Sequence, residues 1–261
     1  MGFTLMNQAV ALTDYDYIES PVKAGLMGHN LLGGSLAQSL KNAVSDTAAD
    51  LVAIGNPEIH PNWVSFSGGT DYFQSFLMQQ AEQTWIWVGR SADTFADPAH
   101  QPMFMSTFSG QNKDYPQFTT HGLSTFVMPS GKPVPQGKLF AGVGIYPQAT
   151  PASTSQKTQN IDFVDFSQFN LCVLRQSSTA IAIDSLTKGT ASPWAEFGAG
   201  YVAGISTRPV CLGGPANPAT TNKGKCDMGY WAVYNRVLTT DEIAVIATWL
   251  RRYYRTLGIN L

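Results

Sequence analysis

The chain has 261 residues, a net charge of −2 and only 13% charged residues. This low charge offers no electrostatic attraction for nucleic acid or an anionic membrane surface. No apolar run is long enough to span a bilayer, and the N-terminus lacks a basic segment that leads into an apolar one. We therefore expect a soluble protein with no cleaved export signal.

The first fifty residues have no regular hydrophobic period, although "SLAQSLKNAVSD" is compatible with a short helix or a loop. Residues 3–32 are too apolar for a solvated tail and too irregular for a core of their own. Their apolar side chains are Phe3, Leu5, Met6, Val10, Leu12, Tyr15, Tyr17, Ile18, Leu26, Met27, Leu31 and Leu32. We predict an N-terminal arm over residues 1–49 that packs partly on its own chain and partly on a neighbouring subunit. The result is a homo-oligomer, with a closed trimer preferred. The alternative is an arm that folds wholly on its own chain.

From residue 51 onward, short β-prone segments recur every ten to fifteen residues, separated by clusters of Gly, Pro, Asn, Ser and Asp. "PSGKPVPQGK" and "PQATPASTSQKTQN" are two such clusters, which we interpret as turns. The eleven predicted strands are "LVAIG", "NWVSF", "YFQSF", "TWIWVGR", "PMFMSTFS", "GLSTFVM", "KLFAGVGIY", "FNLCVLRQ", "TAIAIDS", "PVCLGG" and "YWAVYNR". Many strands without alternating helices predict an all-β domain over residues 50–261, a two-sheet antiparallel jelly-roll sandwich.

In "TWIWVGR", Trp85 and Trp87 point to one face of the strand, and Ile86 and Val88 point to the other. Because both faces are apolar, we predict a central strand. The facing sheet would cover one side of it, and a loop or the C-terminal helix would cover the other.

The chain ends with one predicted amphipathic α-helix. Thr239 and Glu242 have the spacing of a capping box, in which each side chain satisfies a backbone amide of the first turn. An apolar stripe follows at three- and four-residue spacing, formed by Ile243, Ile246, Ala247, Leu250, Tyr254 and Leu257. We expect this helix to cover a sheet face and to secure the chain end.

Patterns typical of catalysis and of metal binding are missing from the sequence. There is no Gly-x-Ser-x-Gly turn, no pair of glutamates with the spacing that glycosidases use, and no Cys-x-x-Cys or His-x-x-x-His. "FGAGYVAG" lacks the lysine of a phosphate loop and is interpreted as a flexible turn. Asp162 and Asp165 are solvated surface residues or, alternatively, calcium ligands or loop caps. We therefore predict no catalytic residues, no metal and no cofactor.

The three cysteines are too few for a disulfide framework. Cys172 lies in an apolar segment and is expected in the core. Cys211 and Cys226 flank a turn-rich loop, so a bridge at its base is geometrically possible. Reduced thiols are the alternative for a chain made in the cytoplasm.

The closing segment resembles that of the laminin-G-like, concanavalin A-type lectin and glucanase sandwiches. The matching residues are Gly229, Tyr230, Val233, Tyr234, Asn235, Arg236, Leu238, Glu242 and Ile243. Other segments follow the family's order, and the resemblance covers about residues 50 to 258. It implies a concanavalin A-like sandwich with the helix packed beside the final strand. The catalytic Glu-x-Asp-x-x-Glu strand of the glucanase branch is absent, and the loop ligands of the calcium-binding branch do not align.

The stretch "LLGGSL...KN" before the first strand resembles versions of this fold in phage and prophage structural proteins. This likeness implies a non-enzymatic phage virion protein, a tail or receptor-binding component that recognises host surface glycan. The alternative is a structural virion protein, either a capsid decoration or a tail-assembly subunit, whose partners are other virion proteins. A polysaccharide-degrading enzyme is a third hypothesis. In the first two readings the protein is made in the host cytoplasm and located in the virion.

Sugar binding by a protein of low charge requires exposed aromatic rings beside polar loop residues. Two loops meet this description. Trp194 lies in "TASPWAEFG", and Tyr115 lies close to Asn112 and Asp114 in "GQNKDYPQ". These four residues are the predicted glycan contacts, and each aromatic ring has the alternative role of packing over its own loop.

Overall fold

A computed structural model describes residues 19–151, 154–215, 217 and 219–261 of the chain. Two antiparallel sheets face each other, and one long helix packs on the outer face of the first sheet. This arrangement confirms the predicted all-β sandwich with one C-terminal helix. No helix in the described ranges is both long and apolar enough to cross a membrane.

Within the described ranges, sheet A has nine strands in the order β15-β14-β13-β6-β19-β4-β3, with β1 paired to β19 and β16 paired to β14. The bounds of these strands are β1 Leu26–Leu31, β3 Glu58–Ile59, β4 Val64–Ser67, β6 Gln83–Arg90, β13 Asn170–Gln176, β14 Ala180–Ser185, β15 Thr190–Ala191, β16 Ala195–Glu196 and β19 Lys225–Tyr234.

Sheet B, in the part of the chain that the structure describes, has eight strands in the order β12-β11-β10-β7-β18-β5-β2, with β17 paired to β11. The bounds of these strands are β2 Val52–Ile54, β5 Tyr72–Met78, β7 Met103–Ser106, β10 Leu123–Pro129, β11 Gln136–Pro147, β12 Ser155–Asp165, β17 Tyr201–Ala203 and β18 Pro209–Leu212. A separate hairpin joins β8 Gly110–Gln111 to β9 Thr119–Thr120. Each of the eleven predicted strands is present.

Strand β6 lies in the middle of sheet A, between β13 and β19. Trp85 and Trp87 are fully buried in the core between the two sheets. Ile86 and Val88 belong to a second buried cluster, which they share with the C-terminal helix. The sequence-based assignment of the two faces of this strand is therefore confirmed.

Helix α2 spans Thr240–Thr256 and begins with the predicted capping box. The Thr239 hydroxyl accepts the amide of Glu242 at 3.2 Å, and Glu242 Oε2 accepts the amide of Thr239 at 2.9 Å. The predicted stripe faces the sheet, because Ile243, Ile246, Ala247, Leu250 and Tyr254 are buried against it. Leu257 is only partly buried and serves as the C-cap.

The segment before residue 50 contributes to the sandwich. Strand β1 pairs with the second half of β19, and a short helix α1 (Leu36–Leu40) confirms the helical interpretation of "SLAQSLKNAVSD". Ser20 is hydrogen-bonded to the Tyr234 hydroxyl at 2.9 Å. The predicted apolar residues from Phe3 to Ile18 lie outside the described residues, so the arm and its boundary at residue 49 stay predictions.

Two turn predictions were wrong. Strand β12 begins inside "PQATPASTSQKTQN", and strand β17 lies inside "FGAGYVAG". β12 is an edge strand of sheet B, and most of its side chains are exposed. A solvated edge strand can carry a polar sequence, because only one of its sides pairs with a neighbour. This explains why a hydrophobic pattern did not identify it.

Several smaller expectations concern individual residues. Asp162 and Asp165 are exposed on β12, as expected for surface residues. Cys172, Cys211 and Cys226 are all buried free thiols, and burial raises the pKa of each. Cys211 belongs to sheet B and Cys226 to sheet A, so the two thiols lie on opposite sheets of the sandwich.

Candidate functional site

Trp194 lies in a bulge along the outer edge of strand β14. Strand β15 pairs with Asp184 and Ser185, and β16 pairs with Ala180 and Ile181. Residues 192–194 therefore lie opposite only two residues of β14. The extra residue makes this edge irregular, which is a common way to redirect a side chain. The Trp194 ring is 37% exposed.

A buried ion pair lies beneath the Trp194 ring. The Arg175 guanidinium carbon is 5.2 Å from the ring centroid, within the range of a cation–π contact. Arg175 Nη2 donates a hydrogen bond to Asp184 Oδ2 at 2.8 Å. Only 14% of the Arg175 side chain and 5% of the Asp184 side chain are exposed. We call Trp194, Arg175 and Asp184 the Trp194 surface.

The charged groups beneath the Trp194 ring are enclosed by the protein. Burial raises the pKa of Asp184, and the Arg175 charge partly offsets this increase. Arg175 Nε is buried and has no hydrogen-bond partner among the described residues, whereas the backbone amide of Ser192 also lowers the pKa of the Asp184 carboxylate through a hydrogen bond. Buried polar atoms in folded proteins normally have a partner. The exposed Trp194 ring thus lies over a buried, charged guanidinium that holds it in place by a cation–π contact.

The bulge also connects the two sheets. Gln159 Nε2 of strand β12 donates a hydrogen bond to the Pro193 carbonyl at 2.7 Å. Since β12 is an edge strand of sheet B and β14 lies near the edge of sheet A, Trp194 lies where the two sheet edges meet. This position leaves its ring open to solvent on one side.

The second predicted loop has a different construction. Asn112 is fully buried, and its Oδ1 accepts the backbone amides of Asp114 and Tyr115 at 2.9 and 3.3 Å. This is the Asx-turn arrangement, in which an asparagine side chain shapes the backbone that follows it. Asn112 therefore holds the loop in shape and has no surface for a ligand.

Tyr115 and Asp114 instead pack on Tyr146 at the end of strand β11. The two tyrosine rings meet edge to face, with centroids 5.2 Å apart. The Tyr146 hydroxyl donates to Asp114 Oδ2 at 3.2 Å. Burial and the Asp114 charge raise the pKa of Tyr146 to about 12, so its hydroxyl remains a donor at neutral pH. Asp114 is exposed and Tyr115 is partly exposed.

The structure does not bring the two predicted groups together. The Trp194 bulge contacts Gln159, which pairs with Ala141 in strand β11. Tyr115 packs on Tyr146, five residues further along that strand. At the usual rise per residue this separation is roughly 16 Å, so the two loops form separate surfaces.

Sequence reasoning missed Arg175, Asp184 and Tyr146 as partners of the predicted residues. A signal existed for the first two, because a single charge within an apolar strand such as "FNLCVLRQ" or "AIAIDS" usually needs a buried partner. No comparable signal marked Tyr146. Among the described residues, no cluster of three or more His, Cys, Asp and Glu side chains is arranged to hold a metal ion.

No family model and no curated protein sequence matches this chain. Solved structures match its fold. The receptor-binding domain of botulinum neurotoxin C/D mosaic serotype superimposes with a TM-score of 0.58 at 8% identity, over 88% of this chain and 53% of that one. The ligand-binding domain of botulinum neurotoxin serotype D in complex with N-acetylneuraminic acid superimposes with a TM-score of 0.55 at 9% identity. The match covers 88% of this chain and 52% of the neurotoxin domain.

A third similar structure is the sialidase of Trypanosoma rangeli in complex with sialic acid. It superimposes with a TM-score of 0.56 at 14% identity. The match covers 85% of this chain and 32% of the sialidase. The chain thus spans about half of the neurotoxin domains and about a third of the sialidase. At such low identity these likenesses establish a shared β-sandwich fold.

Proposed function

We propose that the chain is a non-enzymatic carbohydrate-binding module and that the Trp194 surface contacts the sugar. One observation carries the proposal: an exposed indole ring is held over the buried Arg175–Asp184 ion pair, where the edges of the two sheets meet. A sugar ring has an apolar C–H face that packs on an indole, and its hydroxyls both donate and accept hydrogen bonds. The exposed Trp194 ring provides the complement to the C–H face.

The similar structures support the same ligand class. Two of them are complexes with sialic acid, in a neurotoxin ligand-binding domain and in a sialidase. A shared fold does not transfer a ligand, since function depends on the site. The support is therefore for a glycan in general, and the Tyr115 loop with Asp114 remains a second candidate contact.

A glycan array with the intact protein tests this proposal, with Trp194→Ala as the site variant and Phe76→Ala as its control. Phe76 is an exposed aromatic residue on β5, near the opposite edge of sheet B from β12. We expect glycan binding that falls about tenfold or more in Trp194→Ala and is unchanged in Phe76→Ala. If the intact protein binds no glycan, or if Trp194→Ala binds as well as the parent, the proposal fails.

The biological setting we propose is a phage virion, in which the chain is a tail or receptor-binding component. The support is the sequence resemblance to phage and prophage structural proteins. Immunogold labelling of particles tests it. A label at the tail tip would support a receptor-binding role, whereas particles without the protein would contradict the virion setting.

A structural virion protein is the second candidate function, and an exposed apolar patch favours it. Phe76 and Met78 are 61% and 39% exposed on one face of β5, and Val52 on the neighbouring strand β2 is 41% exposed. Val52 pairs with Gln74, which shares the face of Phe76. Clustered exposed apolar side chains often mark a protein interface.

Light scattering tests the assembly proposal, including the predicted arm. The best deletion removes residues 1–18, because a deletion up to residue 32 would also remove strand β1 from sheet A. We expect the full-length protein to be a homo-oligomer at micromolar concentration and the shortened protein to have a lower mass. A monomeric full-length protein would contradict the proposal.

The absence of enzymatic activity is also part of the proposal. Incubation of the purified protein with host polysaccharide should release no reducing ends. Clear release would favour the enzyme hypothesis, and the sialidase among the similar structures makes a sialoside the first additional substrate to test.

A further inference from the structure

A row of polar side chains crosses four strands at one end of sheet A. Glu58 of β3 lies opposite Ser65 of β4, Ser65 lies opposite Asp227 of β19, and Asp227 lies opposite Arg90 of β6. Residues opposite each other on antiparallel strands project their side chains to the same face. We call these four residues the polar row.

The polar row is held in position by short contacts. The Ser65 hydroxyl donates to Asp227 Oδ1 at 2.5 Å, and Arg90 Nε donates to Asp227 Oδ2 at 2.8 Å. The Arg90 guanidinium carbon also lies 4.9 Å from the centroid of the Trp63 ring and 4.6 Å from that of Phe169. Such a clamped guanidinium loses little conformational entropy when a ligand binds.

Two adjoining cavities of about 540 Å³ each flank the polar row, and Ala92, Asp93 and Asp227 line both. We call them together the end groove. On one side the exposed Val134 and the adjacent Pro135 provide an apolar wall. On the other side lie Glu58, Ser65, Ser67, His100 and Lys225. The volumes fall within the usual range for small-molecule sites, about 300–1,000 Å³.

The order of the hydrogen bonds favours binding over nucleophilic catalysis. In a Ser-His-Asp triad the imidazole lies between the hydroxyl and the carboxylate. Here the Ser65 hydroxyl lies between Asp227 and His60, whose Nε2 is 3.0 Å from Ser65 Oγ. Asp227 therefore takes the Ser65 hydrogen bond directly, and His60 is not placed to relay a proton from the hydroxyl to the carboxylate.

The charges of the end groove define the class of ligand. Three carboxylates, Glu58, Asp93 and Asp227, line the end groove together with two permanent cations, Arg90 and Lys225, and with the titratable His100. A charged ligand of either sign would meet like charges in this mixed groove, whereas an uncharged one would not. The Arg90 Nη groups have no acceptor among the described residues, and each carboxylate oxygen of Asp227 can accept a second hydrogen bond.

We propose that the end groove binds an uncharged pyranose ring, with its hydroxyls on Arg90 and Asp227 and its C–H face on Val134 and Pro135. This site goes beyond the Trp194 surface. Arg175 pairs with Thr84, six residues from Arg90 along β6, which separates the two sites by roughly 20 Å. A protein with both sites would bind a branched or long glycan at two points.

Tryptophan indole N–H signals in nitrogen-15 NMR spectra of the full-length protein test the proposal. Trp63, which packs on Arg90, reports on the end groove, and Trp194 reports on its own surface. The probes are the methyl glycosides of glucose, galactose and mannose, with methyl glucuronide as the acidic comparison, at up to about 50 mM to detect millimolar affinities. We expect at least one neutral glycoside to shift the Trp63 signal and methyl glucuronide to shift it less.

Two variants and one control complete the test. Arg90→Lys keeps the charge but removes the planar donors, and Ala92→Leu narrows both cavities from an exposed position. The matched control is Ala81→Leu, an exposed alanine in the turn before β6. The affinity for the neutral glycoside, measured from the Trp63 shift, should fall about tenfold in both variants and should stay unchanged in the control.

Three results would overturn the proposal: no Trp63 shift with any neutral glycoside, a larger shift with the glucuronide, or shifts that survive both variants. Because Trp194 gives its own signal, these results are separate from a failure of the Trp194 surface. Unchanged signals from Trp85, Trp87 and Trp231 in the core would show that each variant is folded.

Discussion

Arg236 and Glu242 form a two-point ion pair that joins the end of strand β19 to the first turn of helix α2. The Nη1–Oε2 distance is 2.9 Å and the Nη2–Oε1 distance is 2.5 Å. The same Glu242 carboxylate accepts the amide of the N-cap residue Thr239. One side chain therefore fixes both the start of the helix and its connection to sheet A.

We predict that this carboxylate makes stability sensitive to acid. The Arg236 guanidinium, helped by the Thr239 amide, lowers the pKa of Glu242 to about 2. Because the pKa of Glu242 is lower in the folded state, its ionised carboxylate stabilises the fold at pH values above its ordinary pKa near 4.5. This stabilisation is lost as the pH falls towards 2. Urea unfolding of the parent and of Glu242→Gln at several pH values between 2 and 6 measures the effect.

Glu242→Gln should cost about 1 kcal/mol at pH 6, because both groups are partly exposed and glutamine still caps the helix. Its stability should also vary less between pH 4.5 and 2 than that of the parent. Parallel stability curves for the two proteins would show that the ion pair contributes nothing.

His29 in strand β1 provides a second acid-sensitive position. Its ring is buried, with Nε2 3.2 Å from the Ala43 carbonyl oxygen, and burial lowers its pKa to about 4. The unfolded chain takes up a proton near pH 6.5, whereas the folded chain does so only near pH 4. The contribution of neutral His29 to the free energy of unfolding is therefore fully present above pH 6.5. It is lost as the pH falls from 6.5 to 4, and the loss is about 3 kcal/mol at most.

The control for His29 is His29→Gln, which can still donate to the Ala43 carbonyl but does not titrate. We expect its unfolding free energy to be nearly flat between pH 6.5 and 4, while that of the parent declines. If both proteins lose the same stability across this window, His29 is not the titrating group.

The sequence predicted features that depend on neighbouring positions. The alternation of Trp85 and Ile86 was sufficient to assign both faces of β6, and the Thr239–Glu242 spacing was sufficient to place the start of helix α2. Such signals are local, since they arise from the strand period and from the unpaired amides of one helical turn.

Features that depend on strand pairing could not be predicted in the same way. Ser65 and Asp227 are 162 positions apart, and only the register of β4 against β19 brings them together. Arg175 and Asp184 are closer in sequence, but the bulge that places Trp194 over them has no sequence signature. The polar edge strand β12 was missed because solvated edges need no hydrophobic alternation.

A test of strand β1 follows from Gly28. A Cβ at this position would lie 2.6 Å from Trp231 Cη2 and 2.7 Å from Leu77 Cδ1. The Trp231 ring is fully buried in the core between the sheets. We predict that Gly28→Ala destabilises the protein by about 1–3 kcal/mol through overpacking. Thermal or urea unfolding measures this, and a neutral substitution would show that β1 does not pack on the sandwich in solution.

The buried pair of the Trp194 surface leads to the last prediction. Asp184→Ala removes one charge and leaves the Arg175 guanidinium, 14% exposed, without its carboxylate. Removing one partner of a buried ion pair typically costs about 3–5 kcal/mol of unfolding free energy, so Asp184→Ala should lose about 3 kcal/mol. Replacing both partners with apolar residues is often neutral.

The double variant Arg175→Met/Asp184→Leu should recover most of that stability, because no unpaired charge remains. Its glycan binding should nevertheless be weaker than that of the parent, since the guanidinium that holds the Trp194 ring in place is gone. Stability from urea unfolding and binding from the glycan array are measured on the same preparations. A double variant that is stable and still binds glycan at the parent level would show that the ion pair has a structural role alone.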